Sequence, residues 1–133
     1  MNKSTVMIMV GTISLFLLVL PFIPNDIVSQ IDGNGLPTTF QNKYLFFLFF
    51  SLLDVFGSML WLKLLKTRVA FFELMSHKLH ELIELYFPVL MLTLLLMSLS
   101  TTLKLVSPTI IFFGIHGLYA MAVAYGIFVN RNR

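Results

Sequence analysis

The sequence predicts an all-α fold: a polytopic membrane protein built as a four-transmembrane-helix bundle, with residues 1–133 forming one membrane domain. Two observations carry this. Residues of the AVILMFWYC set make up 58% of the 133-residue chain and charged residues 11%, where soluble domains average about 45–50% and about 25%. In addition, four apolar stretches approach the roughly 20 residues needed to cross the hydrocarbon of a bilayer. A soluble domain this small would leave much of that apolar surface in water. In a bilayer, acyl chains solvate it.

The first span covers about 6–23 and is closed by Pro21 and Pro24. Lys3 ahead of an apolar run is signal-peptide-like, but Pro21-Phe22-Ile23-Pro24 stands where a small-x-small cleavage site would be needed. The segment is therefore read as an uncleaved span. A second span, about 44–65, is dense in Phe and Leu, with Asp54 as its single acid. The third covers about 85–103 and the fourth about 109–129, the latter preceded by Pro108, which the first position of a helix tolerates. Only Lys104 to Pro108 separate these two, so they predict a tight antiparallel pair.

Orientation follows from the basic residues. Lys3, Lys63, Lys66, Arg68, Lys78, Arg131 and Arg133 fall on one side, and only Lys43 and Lys104 on the other. The positive-inside rule then puts both termini and the central connection in the cytoplasm. A net charge of +3 spread between apolar blocks marks topology and headgroup contact; it does not indicate a nucleic-acid partner. Cys is absent, which removes disulfides and thiolate chemistry.

The two longer connections differ in character. The outer loop, 25–43, carries Asp32-Gly33-Asn34-Gly35 followed by Pro37, strong turn chemistry. The inner segment, 69–86, has helical periodicity with a polar stripe and predicts a cytoplasmic amphipathic helix between spans 2 and 3.

Three groups of residues can carry chemistry. Asp54 sits near the middle of its span, about 15 Å from the outer end at 1.5 Å per residue, and His116 lies about 10–11 Å in on the last span. Ionisable groups at such depth are costly and face a bundle interior or a water-filled cavity. The pair reads either as a proton or ion relay or as a polar contact that fixes helix packing, with Ser51 and Ser58 nearby on the second span. The second group is Glu73, His77, His80 and Glu84, which share an arc of about 60° at 100° per residue. Imidazoles flanked by carboxylates suit zinc or a pH-responsive face; the plainer reading is the hydrated side of an interfacial helix. HKLHE is neither H-E-x-x-H nor H-x-x-E-H, so no peptidase follows. The third group is Gly117, Ala120 and Ala124, a small-residue face for close helix packing within the bundle or in a homo-oligomer. The hydroxyls of Thr93, Ser98, Ser100, Thr101 and Thr102 are expected to bond backbone. No nucleophile–base–acid arrangement or phosphate loop is present, so neither an enzyme nor a cofactor is expected.

Pro24, Ile27, Asp32-Gly33-Asn34-Gly35-Leu36-Pro37 and Lys43, followed at once by an aromatic-rich span, resemble the N-terminal domain of SdpI-type bacterial immunity proteins and related small membrane proteins. The likeness covers about 15–60. Where that family carries a His and then an aromatic, this chain has Gln30 and Ile31, so the shape of the loop is kept without the imidazole. The resemblance implies an immunity or ligand-sensing protein. It would meet a secreted peptide toxin through outer-loop residues Pro24, Ile27, Gln30, Asp32, Gly35, Pro37 and Lys43. The alternatives are a small transporter or ion-handling subunit working through Asp54, and an assembly subunit docking a membrane partner protein.

Overall fold

The computed structural model describes residues 2–34, 36–66 and 77–131. Helix α1 spans Lys3–Val19 and passes into a 3-10 turn at Leu20–Phe22. Strands β1 (Asp26–Ile31) and β2 (Pro37–Asn42) follow, then α2 (Lys43–Lys66), α3 (His77–Glu84), α4 (Tyr86–Leu103) and α5 (Pro108–Arg131). Four helical segments, 3–22, 43–66, 79–103 and 108–129, are long and apolar enough to cross a membrane.

Local chemistry sets the helix ends. The Asn2 side chain accepts a hydrogen bond from the Thr5 amide at 2.9 Å and caps α1, satisfying one of the first-turn donors that have no partner inside a helix. Pro21 and Pro24 cannot continue the ladder, and α1 tightens and stops there. Asn42 takes the amide of Tyr44 at 2.9 Å and starts α2. At the other end of the chain, α4 stops on Lys104, whose φ of 56° is left-handed. Ser100 then closes the connection, its Oγ donating to the Val106 carbonyl and accepting from the Val106 amide. Pro108 opens α5.

The all-α expectation is corrected at the outer loop. Within 25–43, β1 and β2 pair antiparallel, with Ile27 opposite Gln41 and Val28 opposite Phe40, and a register irregularity between Val28 and Gln30. The turn does fall at Asp32-Gly33-Asn34. Pairing is favoured because the hairpin lies over the bundle with Ile27 and Val28 buried, and buried backbone groups need partners. Of the amphipathic helix expected over 69–86, residues 69–76 lie outside the described residues; the described part, α3, runs into α4 through the single turn residue Leu85, whose φ of −69° and ψ of −14° stay helical. The amphipathic pattern of α3 reflects packing: Leu79 is buried, and the Leu79 and Leu82 side chains close on Gly126 of α5.

The core lies between α1, α2 and α4. Phe16 is 0% exposed and is surrounded by the rings of Phe46, Phe47 and Phe50 at 5.8, 5.2 and 5.6 Å, geometries favoured by the ring quadrupoles. Met91, Leu95 and Leu99 of α4 and Ile27 of the hairpin complete it. The third apolar segment is the most enclosed, with 39% buried, whereas only 6% of the fourth is buried.

Candidate functional site

The hairpin is fastened to the bundle rather than tethered above it. Val28 is held at both backbone groups: its amide donates to Thr102 Oγ1 at 2.9 Å, and its carbonyl accepts from Ser98 Oγ. At the hairpin base, Lys43 is only 5% exposed, and its ammonium donates to the carbonyls of Leu20 at 2.6 Å and Ile23 at 3.0 Å. These carbonyls are left over where α1 is broken by its prolines, so a cation at that helix end also meets the negative pole of the helix. At the tip, Asp32 Oδ1 accepts from the amides of Asn34 and Leu36 at 2.8 and 2.9 Å, an Asx-type turn.

Under this roof lies a cleft of about 480 Å³ between the hairpin, α2 and α4, within the roughly 300–1,000 Å³ of small-ligand sites. Gln30, Gln41 and Ser29 supply a polar edge, and Phe49, Leu53 and Met97 are among the apolar walls. Phe49, Leu53 and Leu94 are exposed on the outer surface of the bundle, so the cleft opens sideways, toward what would be lipid, as well as toward the hairpin. Its chemistry suits an amphiphile that presents neutral hydrogen-bonding groups to the amides and a chain or ring to the Phe and Met side chains.

Of the outer-loop candidates, Gln30 lines this cleft, its Oε1 accepting from Thr39 Oγ1 at 2.9 Å. Ile27 is 0% exposed in the core, and Lys43 and Asp32 hold the base and the tip as described. Pro24 and Pro37 are exposed at the ends of the hairpin, and Gly35 lies outside the described residues. Ser29, Phe49, Met97 and Ser98 were not singled out as site residues, because their proximity depends on the strand pairing. The β-branched Ile27, Val28, Ile31, Thr38 and Thr39 around the turn were the signal for it.

Asp54 is 0% exposed, and neither carboxylate oxygen has a hydrogen-bond partner. It is not joined to His116. That ring is stacked on Phe112 at 4.2 Å and lies edge-on to Tyr86 at 6.0 Å, its Nδ1 is 3.1 Å from the Phe112 carbonyl, and its Nε2 is buried without a partner. Tyr86 also meets Trp61 and Tyr119, so His116 belongs to an aromatic cluster joining α2, α4 and α5.

The Glu/His stripe is divided. Glu73 and the His77 side chain lie outside the described residues, while His80 is half-buried. Glu84, 9% exposed, accepts from the Asn2 backbone and side-chain nitrogens. Among the described residues no group of three or more His, Cys, Asp or Glu side chains converges. The five Ser and Thr hydroxyls of α4 donate to the carbonyls of Val89, Val28, Val106, Met97 and Ser98, in the order Thr93, Ser98, Ser100, Thr101 and Thr102.

The chain matches no protein-family model, and no curated protein or solved structure is significantly similar to it.

Proposed function

We propose that the protein is a multi-pass protein of a bacterial plasma membrane that senses or neutralises a secreted amphipathic peptide, in the manner of an SdpI-type immunity protein. The hairpin faces outward and both termini face the cytoplasm. One observation carries this reading: the cleft beneath the hairpin, with amides at its rim and Phe and Met in its walls. A peptide that attacks the membrane arrives at that surface with apolar side chains to bury and backbone groups to pair. Gln30 and Gln41 meet the polar part, and Phe49 and Met97 the apolar part.

The test is protection. A short secreted peptide encoded beside the gene is expected; deleting the gene sensitises cells to that peptide, and restoring the wild-type gene recovers growth. Gln30→Ala with Gln41→Ala, and separately Phe49→Ala, lower protection at unchanged membrane abundance. Full protection by both variants would falsify the cleft as the recognition site.

A second reading, an assembly subunit or homo-oligomer, is favoured by α5. Only 6% of that apolar segment is buried within the chain, and the small residues Gly117, Ala120 and Ala124 are exposed on it. A Cβ added at Gly117 would meet nothing within 4 Å, so a second helix has room to approach closely. Crosslinking from Ala120 that yields only intramolecular products removes this reading.

A further inference from the structure

Ser51, Asp54 and Ser58 recur at i, i+3 and i+7 on α2, a spacing that puts them on one face. Asp54 is 0% and Ser58 2% exposed. The hydroxyl oxygens of Ser51 and Ser58 and both Asp54 oxygens are buried and make no hydrogen bond. Thr5 of α1, 1% exposed, adds a further buried and unbonded hydroxyl. Helices α1 and α2 run antiparallel, matched in height where Phe16 meets Phe47 and Phe50. Eleven residues back from Phe16 along α1, and eight to eleven forward along α2, reach Thr5 and Ser58 at nearly the same level, given about 1.5 Å of rise per residue. Asp54 is one turn from that level.

Buried polar atoms in folded proteins are almost always paired, and an ionisable group at this depth of a bundle marks a functional site by default. Apart from His116 Nε2, which belongs to the aromatic cluster of α5, the unpaired atoms lie on α1 and α2 on either side of one carboxylate, and they are all oxygens. Such a set suits hard cations rather than zinc or copper. Charge decides between the hard cations. One carboxylate balances one positive charge, whereas a divalent ion would leave an uncompensated charge in a low-dielectric interior, at a cost of several kcal/mol. A proton would neutralise Asp54 but leave the hydroxyl oxygens of Ser58 and Thr5 without a partner.

We propose that Asp54, with Ser58 and Thr5, binds an alkali cation between α1 and α2. The end of the bundle nearest Thr5 supplies the approach. Trp61 donates to the Ile83 carbonyl at 3.0 Å, which sets the neighbouring Glu84 one turn beyond Ser58. Glu84 is held there by Asn2, whose own side chain reaches the Thr5 amide. Oxygen-bearing side chains thus succeed one another from Glu84 through Asn2, Thr5 and Ser58 to Asp54. The site is separate from the cleft under the hairpin and gives the ion-handling alternative a defined ligand.

The experiment measures saturable binding of radioactive sodium to the full chain in lipid nanodiscs, at constant ionic strength with choline as the inert cation. Wild type binds about one sodium per chain, displaced by lithium or potassium but not by choline, and its melting temperature is higher in sodium than in choline. Asp54→Asn lowers affinity at least tenfold, and Ser58→Ala and Thr5→Val lower it several-fold, each variant melting in choline as wild type does. If Asp54→Asn does not fold, the other two variants decide the matter. Absence of saturable sodium binding to wild type, preferential displacement by magnesium or calcium, or unchanged affinity in Ser58→Ala and Thr5→Val overturns the proposal.

Discussion

Replacing Lys43 by Met tests whether the ammonium at the hairpin base holds the start of α2 to the end of α1. The aliphatic stem is kept, so packing changes little, but the bonds to the Leu20 and Ile23 carbonyls are lost. Hydrogen bonds to a charged group contribute about 1.5–3 kcal/mol each. A cation at a helix C-terminus adds about 0.3–1 kcal/mol, and up to ~2 in partly buried geometries. The contributions overlap and the desolvation of Lys43 itself is recovered, so a loss of about 3 kcal/mol is expected, roughly a hundredfold in the folded-to-unfolded ratio at about 1.4 kcal/mol per factor of ten. Trp61 is the only tryptophan of the chain and lies at the opposite end of the bundle from the substitution. Its fluorescence therefore follows global unfolding in a denaturing-detergent titration. Lys104→Met, at an exposed cation, is the control and should shift the midpoint by less than about 0.5 kcal/mol. A Lys43→Met protein as stable as that control would refute the argument that Lys43 closes the end of α1.

Other outcomes follow from single positions. Gly57→Ala places a methyl 2.2 Å from the Phe87 ring and should cost about 1–3 kcal/mol by overpacking. The double variant with Phe87→Leu recovers most of the loss, which a double-mutant cycle in the same titration measures. Lys104→Gly should raise stability by about 0.5–1 kcal/mol, because the φ of 56° costs a non-glycine residue about 1–2 kcal/mol and part of the gain goes to the freer unfolded chain. Asp32→Ala removes the acceptor for the Asn34 and Leu36 amides. At about 1 kcal/mol per bond, hydrogen exchange in the turn accelerates roughly ten- to thirtyfold while the helices keep their protection.

The spans were legible because hydropathy and proline are local signals: the bounds read at 6–23, 44–65, 85–103 and 109–129 sit close to the helical segments found. The hairpin was legible only at its turn. Its strands are short, and what stabilises them is distant in sequence, the Val28 bonds to Ser98 and Thr102 of α4. Asp54 announced itself as a lone acid in an apolar run. Its neighbour on α1 did not, since Thr5 looks like an ordinary residue near a helix start until the register set by Phe16 is known. Lys43 was counted as a topology marker on the outer side, and burial of its ammonium became visible only with the Leu20 and Ile23 carbonyls in place. Of the periodicity over 69–86, only the part from His77 on lies within the described residues, and there Leu79 and Leu82 meet Gly126 of α5, because a helical stripe does not say which apolar neighbour covers it.

The pinning of Val28 also bears on how the protein is made. Strand β1 leaves the ribosome some seventy residues before Ser98 and Thr102, the side chains that fix its position. Until α4 is in place, the hairpin has its own ladder and the Lys43 anchor but nothing from Ser98 or Thr102. Docking of α4 is therefore the step that fixes the hairpin, and a chain cut short before α4 would carry a hairpin still open to proteases.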